Sequence, residues 1–343
     1  MEHGGDIYGQ KIKYDFSVSL NPFPPADEIM EAGIRGLESS RAYPDIKQRN
    51  IRNIISEKEG VPSSSVLAGN GASELLLGIV KYINPTKALL MEPCYSGYRY
   101  VLNALDGCRV ISCSLKEENG FIPASAELDD IWKEKPELIL LTDPWNPSGR
   151  NISDDVLEDF LKRAGEENAW VIIDESFLLL SEKALGKRSI TKSEILNRYP
   201  RTVVITSYTK FLALPGVRMG YMIARSEVID GVRRLLPEWN LSIPAEYIME
   251  AGLRKAGDRA YLEAVILKIR EEREYLIREL NCLGLKTFDS DTCFIYFTGP
   301  ACLQERLVSE GILIRSFDEA GYYRIGIKDH IANMFLIDKL SNV

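Results

Sequence analysis

Two rhythms alternate along this chain. Short apolar runs, too brief for helices and rich in Val, Ile and Leu, predict buried strands at Lys87–Met91, Cys108–Ser114, Leu138–Thr142, Ala169–Ile173, Thr202–Thr206 and Gly220–Ile223. Apolar residues spaced three and four apart predict helices at Asp27–Gly36, in a stretch reaching about Glu59, and at Ala72–Ile83, Ser96–Ala104 and Asp154–Glu166. Strands that are apolar throughout, separated by helices, belong to a mostly parallel sheet covered on both faces. The fold class is therefore α/β. In such sheets ligands bind at the carboxyl ends of the strands, which directs attention to the turns after each apolar run.

Prolines divide the rest. Residues 1–25 form an arm ending in NPFPP, whose prolines bar regular structure and favour an extended entry into the body. LPEWNLSIP, Leu236–Pro244, marks the boundary between a large domain, 26–240, and a smaller α+β domain, 241–343. The latter opens on a helical pattern from about Ala245 to Leu283, broken near Gly257, with strands near Cys293–Phe297, Ile312–Ile314 and Tyr323–Ile327.

Composition removes whole classes of function. A chain of 343 residues buries a large core. Its net charge of -8 argues against nucleic acid as the main partner, although a few arginines in one pocket still bind small anions. The two histidines, His3 and His330, are too few for a histidine triad or a multi-histidine metal site. Six cysteines without CxxC or metal-ligand spacing read as free thiols of a reducing cytosol. MEHGGDIYGQ at the start has no apolar core, and no apolar run reaches spanning length, so a soluble cytoplasmic protein without membrane contact is expected.

The chemistry gathers after the strands. TSYTKFLALPGVRMG, Thr206–Gly220, sets Ser207, Lys210 and Arg218 at one strand end, either as an anion site or as a solvated turn. A lysine partly withdrawn from water there is a nucleophile toward aldehydes. GNGASE, Gly69–Glu74, precedes an apolar helix, so its backbone N–H groups suit a phosphate, the alternative being a plain turn with Ser73 near the cap. Glu74 replaces the third glycine of a dinucleotide fingerprint, which weighs against a dinucleotide oxidoreductase. Tyr95 in EPCYSGY stacks on a flat ring or fills the core. Asp174 in VIIDESF follows three apolar residues, and a buried carboxylate needs a partner.

SxxK with an arginine eight residues beyond the lysine in PGxRxG, preceded in order by GNGASE, EPCYSGY, DPWNPSG and VIIDESF, closely resembles the fold-type I pyridoxal-phosphate enzymes. Within them it is most similar to threonine-phosphate decarboxylases and histidinol-phosphate aminotransferases, over nearly the whole chain. The resemblance implies that Lys210 bonds the cofactor and that Gly71, Ala72, Ser73, Ser207 and Arg218 hold its phosphate. It further implies that Tyr95 stacks on the ring, Asn146 bonds the ring oxygen and Asp174 pairs with the ring nitrogen. AYPD matches a turn whose tyrosine, here Tyr43, reaches the neighbouring subunit's cofactor, so a homodimer with its site at the interface is implied.

The implied substrate is a small anionic amino acid. Arg315 in GILIRS and Arg324 in YYRIGIK belong to the substrate site by resemblance, although charged residues on such strands are commonly solvated. HGGD followed by DFSVSLNP looks like the opening of threonine-phosphate decarboxylase, where His3 acts as a lid. The resemblance adds Ser19 and Trp145 to the substrate contacts. Ser19, Trp145, Cys293 and Lys328 all depart from the decarboxylase pattern, a clustering that implies an altered substrate. Decarboxylation, as in cobalamin side-chain synthesis, is the preferred reaction. Transamination of the histidinol-phosphate type is the alternative, and a cofactor-binding protein without turnover is a third.

Overall fold

The computed structural model describes residues 4–124, 129, 131–186, 190–317 and 321–341. The arm contains a two-residue strand, β1 (Tyr14–Asp15), and leads to helices α1 (Asp27–Glu38) and α2 (Arg49–Glu59). The alternation then begins with β2 (Val66–Gly69), α3 (Ala72–Ile83), β3 (Lys87–Glu92), α4 (Ser96–Leu102), β4 (Arg109–Ser114) and β5 (Leu138–Thr142). It continues through α5 (Asp154–Glu166), β6 (Trp170–Asp174), α6 (Lys192–Arg198), β7 (Thr202–Ser207), β8 (Gly220–Ile223) and α7 (Ser226–Arg233). The C-terminal segment holds α8 (Ile243–Lys255), α9 (Arg259–Cys282), β9 (Phe294–Thr298), α10 (Leu303–Ser309), β10 (Ile312–Leu313), β11 (Arg315–Phe317), β12 (Tyr322–Gly326) and α11 (His330–Leu340).

Seven strands form one sheet in the order β2-β8-β7-β6-β5-β3-β4. Its pairings are parallel except at β8, which runs antiparallel to both neighbours. Alternation of side chains along each strand feeds both faces. On β5, Leu138 and Leu140 join an apolar cluster with Leu75, Val101 and Ile229 from α3, α4 and α7. Ile139 and Leu141 instead meet Leu157, Phe160 and Leu161 of α5. That is why β5 and β7 read as uninterrupted apolar runs: every residue in them is buried.

β2 escapes the apolar pattern because it is only four residues long and follows three serines. It lies at the sheet's edge, where unpaired peptide groups are a liability. Buried Gln48 answers this: its Oε1 accepts from Ala68 N at 3.0 Å and its Nε2 donates to Ala68 O at 2.9 Å. The side-chain amide thus takes the place of a neighbouring strand.

The arm is extended, as its prolines require, and it is tied down. β1 pairs in parallel with β10, joining residues about 300 positions apart, and Phe16 O accepts from Gly326 N at 2.8 Å. β11, β12 and β9 form a separate antiparallel sheet. The long helical pattern breaks near Gly257 as expected, Asp258 capping α9 through Tyr261 N. Pro244 starts α8 rather than preceding it, in the first turn, where its missing N–H costs nothing. Among the described residues no helix is long and apolar enough to cross a membrane.

Candidate active site

The carboxyl ends of β2, β3, β5, β6 and β7 share one edge of the sheet, and the antiparallel β8 begins there. A cavity of about 220 Å³ opens at this edge. Ser19, Ala72, Ser73, Tyr95, Asn146, Asp174, Ser207, Lys210, Arg218, Arg315 and Arg324 all line it. Residues scattered over some 300 positions therefore meet in one place.

One end of the cavity is built for an anion. α3 starts at Ala72 without a side-chain cap, so its first N–H groups are open to a ligand. Gly71 does not line the cavity; at φ 79° it turns the chain into α3 and leaves room for Arg218, since a β-carbon there would lie 2.6 Å from the guanidinium. Arg218 is anchored by donating to Pro215 O at 3.1 Å. The Ser207 hydroxyl pairs with that of Thr209 at 2.7 Å, both buried. Glu74, the residue that breaks the glycine fingerprint, has structural work: its Oε2 accepts from Asn70 N at 2.8 Å and from Asn240 Nδ2 at 2.7 Å, holding the loop closed.

The same cavity carries a carboxylate. Asp174 receives hydrogen bonds from Tyr98 Oη at 3.0 Å and Ser176 N at 2.9 Å, and neither donor is charged. Burial pushes its pKa up, against the pull of those hydrogen bonds and of Lys210. Tyr98 was not singled out from the sequence, yet it stands three residues after Tyr95, a spacing that shares a helix face. The two rings meet edge to face at 5.4 Å. Gly97 between them is required, because a β-carbon would lie 2.2 Å from Tyr95 Cε1.

Lys210 has a pKa lowered to about 8, first by burial and then by Arg218 and Arg324. Its backbone is held by the arm: Asn21 N donates to Lys210 O at 3.0 Å, and Asn21 Nδ2 to Phe211 O at 2.8 Å. Asn21, in the NPFPP stretch, was another residue the sequence left unremarked.

Arg324 and Arg315 sit directly opposite each other across the β11–β12 ladder. Like charges so placed repel unless an anion lies between them. Burial, then Arg315, draws the pKa of Arg324 down to about 10, which still leaves it charged at neutral pH. Its Nη1 donates to Asn146 Oδ1 at 2.6 Å and its Nη2 to Ser17 O at 2.9 Å. Because the guanidinium takes the amide oxygen of Asn146, the donor nitrogen is left for the cavity. Among the described residues Arg324 Nε and Ser19 Oγ are buried without a hydrogen-bond partner, which fits groups waiting for a ligand.

One expectation needs correction. Trp145 is no substrate contact: it is fully buried among Leu89, Met91 and Phe160, and its Nε1 donates to Pro93 O at 2.9 Å. Tyr43 does not line the cavity of its own chain; it is exposed, with its ring 4.9 Å from that of Trp239. Of the four departures, Ser19 lines the cavity, Cys293 is buried and acts electrostatically on both Lys210 and Arg324, Lys328 Nζ reaches the O of cavity-lining Val18 at 3.4 Å, and Trp145 packs in the core. His3 lies outside the described residues. Cys94, in the cavity wall, has its thiol pushed up to about 12 by burial and by Glu92, so it is no nucleophile.

A mostly parallel α/β sheet with a softened lysine, a buried carboxylate and a helix-end anion site along one edge defines a fold-type I pyridoxal-phosphate enzyme. The family model for aminotransferase class I and II matches residues 11–331, and the chain belongs to that family. A relative from Caldanaerobacter subterraneus, provisionally named a threonine-phosphate decarboxylase, is 31% identical over 350 residues, covering 99% of this chain and 93% of that protein. Histidinol-phosphate aminotransferase 2 of Archaeoglobus fulgidus is 26% identical over 342 residues, 98% of this chain and 94% of that one. The crystal structure of the histidinol-phosphate aminotransferase from Clostridium acetobutylicum superposes with a TM-score of 0.83 at 26% identity, covering 96% and 98% of the two chains. The family depends on pyridoxal phosphate. The cavity fits that cofactor: its uncapped helix end and Arg218 suit a phosphate, and Asp174, buried with neutral donors, suits a cationic ring nitrogen.

Proposed function

We infer that this enzyme decarboxylates a small phosphorylated amino acid, with aminotransfer of the histidinol-phosphate type as the second reading. The observation that carries the anionic substrate is the facing pair Arg315 and Arg324, both lining the cavity beside Lys210. Two guanidinium forks and the free Ser19 hydroxyl suit a carboxylate and a phosphate together. Decarboxylation is favoured by the 31% identical relative and by the decarboxylase-like opening HGGD and DFSVSLNP.

In this reading Ala72, Ser73, Ser207 and Arg218 would hold the cofactor phosphate, Tyr95 would pack on the ring, Asn146 would donate to the ring oxygen and Asp174 would pair with the ring nitrogen. Bound pyridoxal phosphate supplies an electron sink for charge developing at the substrate α-carbon. Arg315, Arg324 and Ser19 would orient the substrate, and the α-carbon bond that this orientation holds in line with the electron sink would be the one broken, which decides between loss of carbon dioxide and loss of a proton. Lys210, with its lowered pKa, carries protons to and from that carbon near neutral pH.

The test is incubation of protein reconstituted with pyridoxal phosphate with phosphothreonine and phosphoserine, following carbon dioxide and the cofactor spectrum. Release of carbon dioxide without a 2-oxo acid is the expected result. No release, with amination of the cofactor by histidinol phosphate, would move the protein to the aminotransferases.

A homodimer is part of this reading. Met30, Ile34 and Leu37 on α1, with Tyr43, Ile46 and Trp239 nearby in sequence or contact, are large apolar residues left exposed, and such patches mark association surfaces. Sedimentation at micromolar concentration is expected to give twice the chain mass of 38.7 kDa; a monomer would overturn both the dimer and the role of Tyr43 toward a neighbouring site.

A further inference from the structure

A buried ionic cluster adjoins the cavity and has no part in the roles above. Side chains alternate at the end of β6, so while Asp174 lines the cavity, Glu175 carries its carboxylate away from it, fully buried. Lys192 Nζ, itself buried, lies 3.3 Å from Glu175 Oε2 and 2.7 Å from Glu59 Oε2. Tyr221 Oη donates to Glu59 Oε1 at 2.5 Å. The Lys192 ammonium stands 5.5 Å from the Tyr221 ring, whose centroid is 6.0 Å from that of Tyr208.

The members come from five elements. Glu59 ends α2, Lys192 begins α6, Glu175 follows β6, Tyr208 follows β7 and Tyr221 lies in β8. These are the strand ends that carry Asp174, Lys210 and Arg218. Lys58 adjoins the outer end, where Glu59 acts on it. Two carboxyl groups and the Lys192 ammonium are thus held inside the protein, with Lys58 at their outer edge. Withdrawing such charges from water is costly, and apolar side chains of similar size commonly stabilise a fold as well or better. Stability is therefore a poor explanation for this cluster. What it gives is a fixed strand end and a pair of carboxyl groups behind a cavity lined by Lys210, Arg218, Arg315 and Arg324.

We propose that Glu175, Lys192 and Glu59 are positioning residues, which lock the Asp174–Glu175 peptide so that Asp174 keeps its aim, and which offset the cationic field of the cavity. The inference rests on the assignment of Lys210 and Asp174 to the cofactor. It is tested by loading wild type, Glu175→Gln and Glu59→Gln with pyridoxal phosphate and measuring three things: the cofactor dissociation constant, the melting temperature and the pH midpoint of the visible absorbance change. Removing a nearby negative charge lowers the midpoint of a protonated group by roughly half a unit to one unit.

Glu175→Gln is expected to bind cofactor within about threefold of wild type and to show that downward shift. Glu59→Gln, altered at the more exposed end, is expected to shift in the same direction by less, and it serves if Glu175→Gln does not fold. Unchanged midpoints, whether or not the melting temperature falls, would reduce the cluster to a structural ion pair and overturn the proposal. A wild type without any cofactor band that titrates would instead remove the assignment on which it rests, and the proposal with it.

Discussion

In Lys210→Ala protein, turnover is expected to fall by at least about 1,000-fold, and borohydride is expected to fix no pyridoxal phosphate to the chain. The reason lies in what surrounds the amine. Burial and the two guanidinium groups of Arg218 and Arg324 bring its pKa to about 8 from 10.5. At pH 7 about a tenth of it is then neutral, roughly 300 times the fraction of an ordinary lysine. An amine poised in this way both attacks an aldehyde and exchanges protons at neutral pH. Retention of a covalent adduct in the alanine variant would show that another group holds the cofactor.

The same shift makes a prediction about the cofactor-free protein. Between about pH 8 and 10.5 the unfolded chain holds the Lys210 proton and the folded chain has lost it. Stability therefore rises with pH across that window, and the cost of the buried ammonium is fully present below it. Lys210→Met has no such proton, so it is expected to exceed wild type at pH 7 by on the order of 1–3 kcal/mol and to lose that advantage as pH rises. Chemical denaturation at the two pH values checks this.

Tyr95, Asn146, Asp174, Ser207 and Lys210 were legible as cavity residues because each lies within four positions of the end of an apolar run. Once Lys87–Met91 or Thr202–Thr206 is read as a buried strand, the next turn must lie at the ligand-binding edge. Periodicity says nothing of side-chain direction within that turn. Trp145 and Asn146 are neighbours in DPWNPSG, yet Asn146 faces the cavity and Trp145 the core. Contacts between distant residues were also beyond reach. Gln48 completes the edge of β2, Asn21 holds the backbone of Lys210, and β1 pairs with β10, and none of these leaves a local pattern. Arg315 and Arg324 were legible as a pair of charges, but their opposition depends on a strand register that only the folded chain reveals.

Asp174→Ala is expected to keep the fold and lose turnover by about 100-fold or more. In the cofactor-free protein this carboxylate is a liability, because burial raises its pKa and its hydrogen-bond donors, Tyr98 and Ser176, are neutral. The folded chain then binds the Asp174 proton more tightly than the unfolded chain, so stability is lost as pH rises from the ordinary carboxylate range through the raised value. Alanine removes that loss, and the cofactor-free variant is expected to melt no lower than wild type above that range. Asp174→Asn separates charge from shape: it preserves a partner for Tyr98 but cannot neutralise a cation. If the carboxylate serves as counter-ion to a cationic ring nitrogen, the asparagine variant fails catalytically as badly as alanine while binding the cofactor better than alanine does. Near-normal kcat in either variant would remove Asp174 from the catalytic groups and leave it a structural residue at the end of β6.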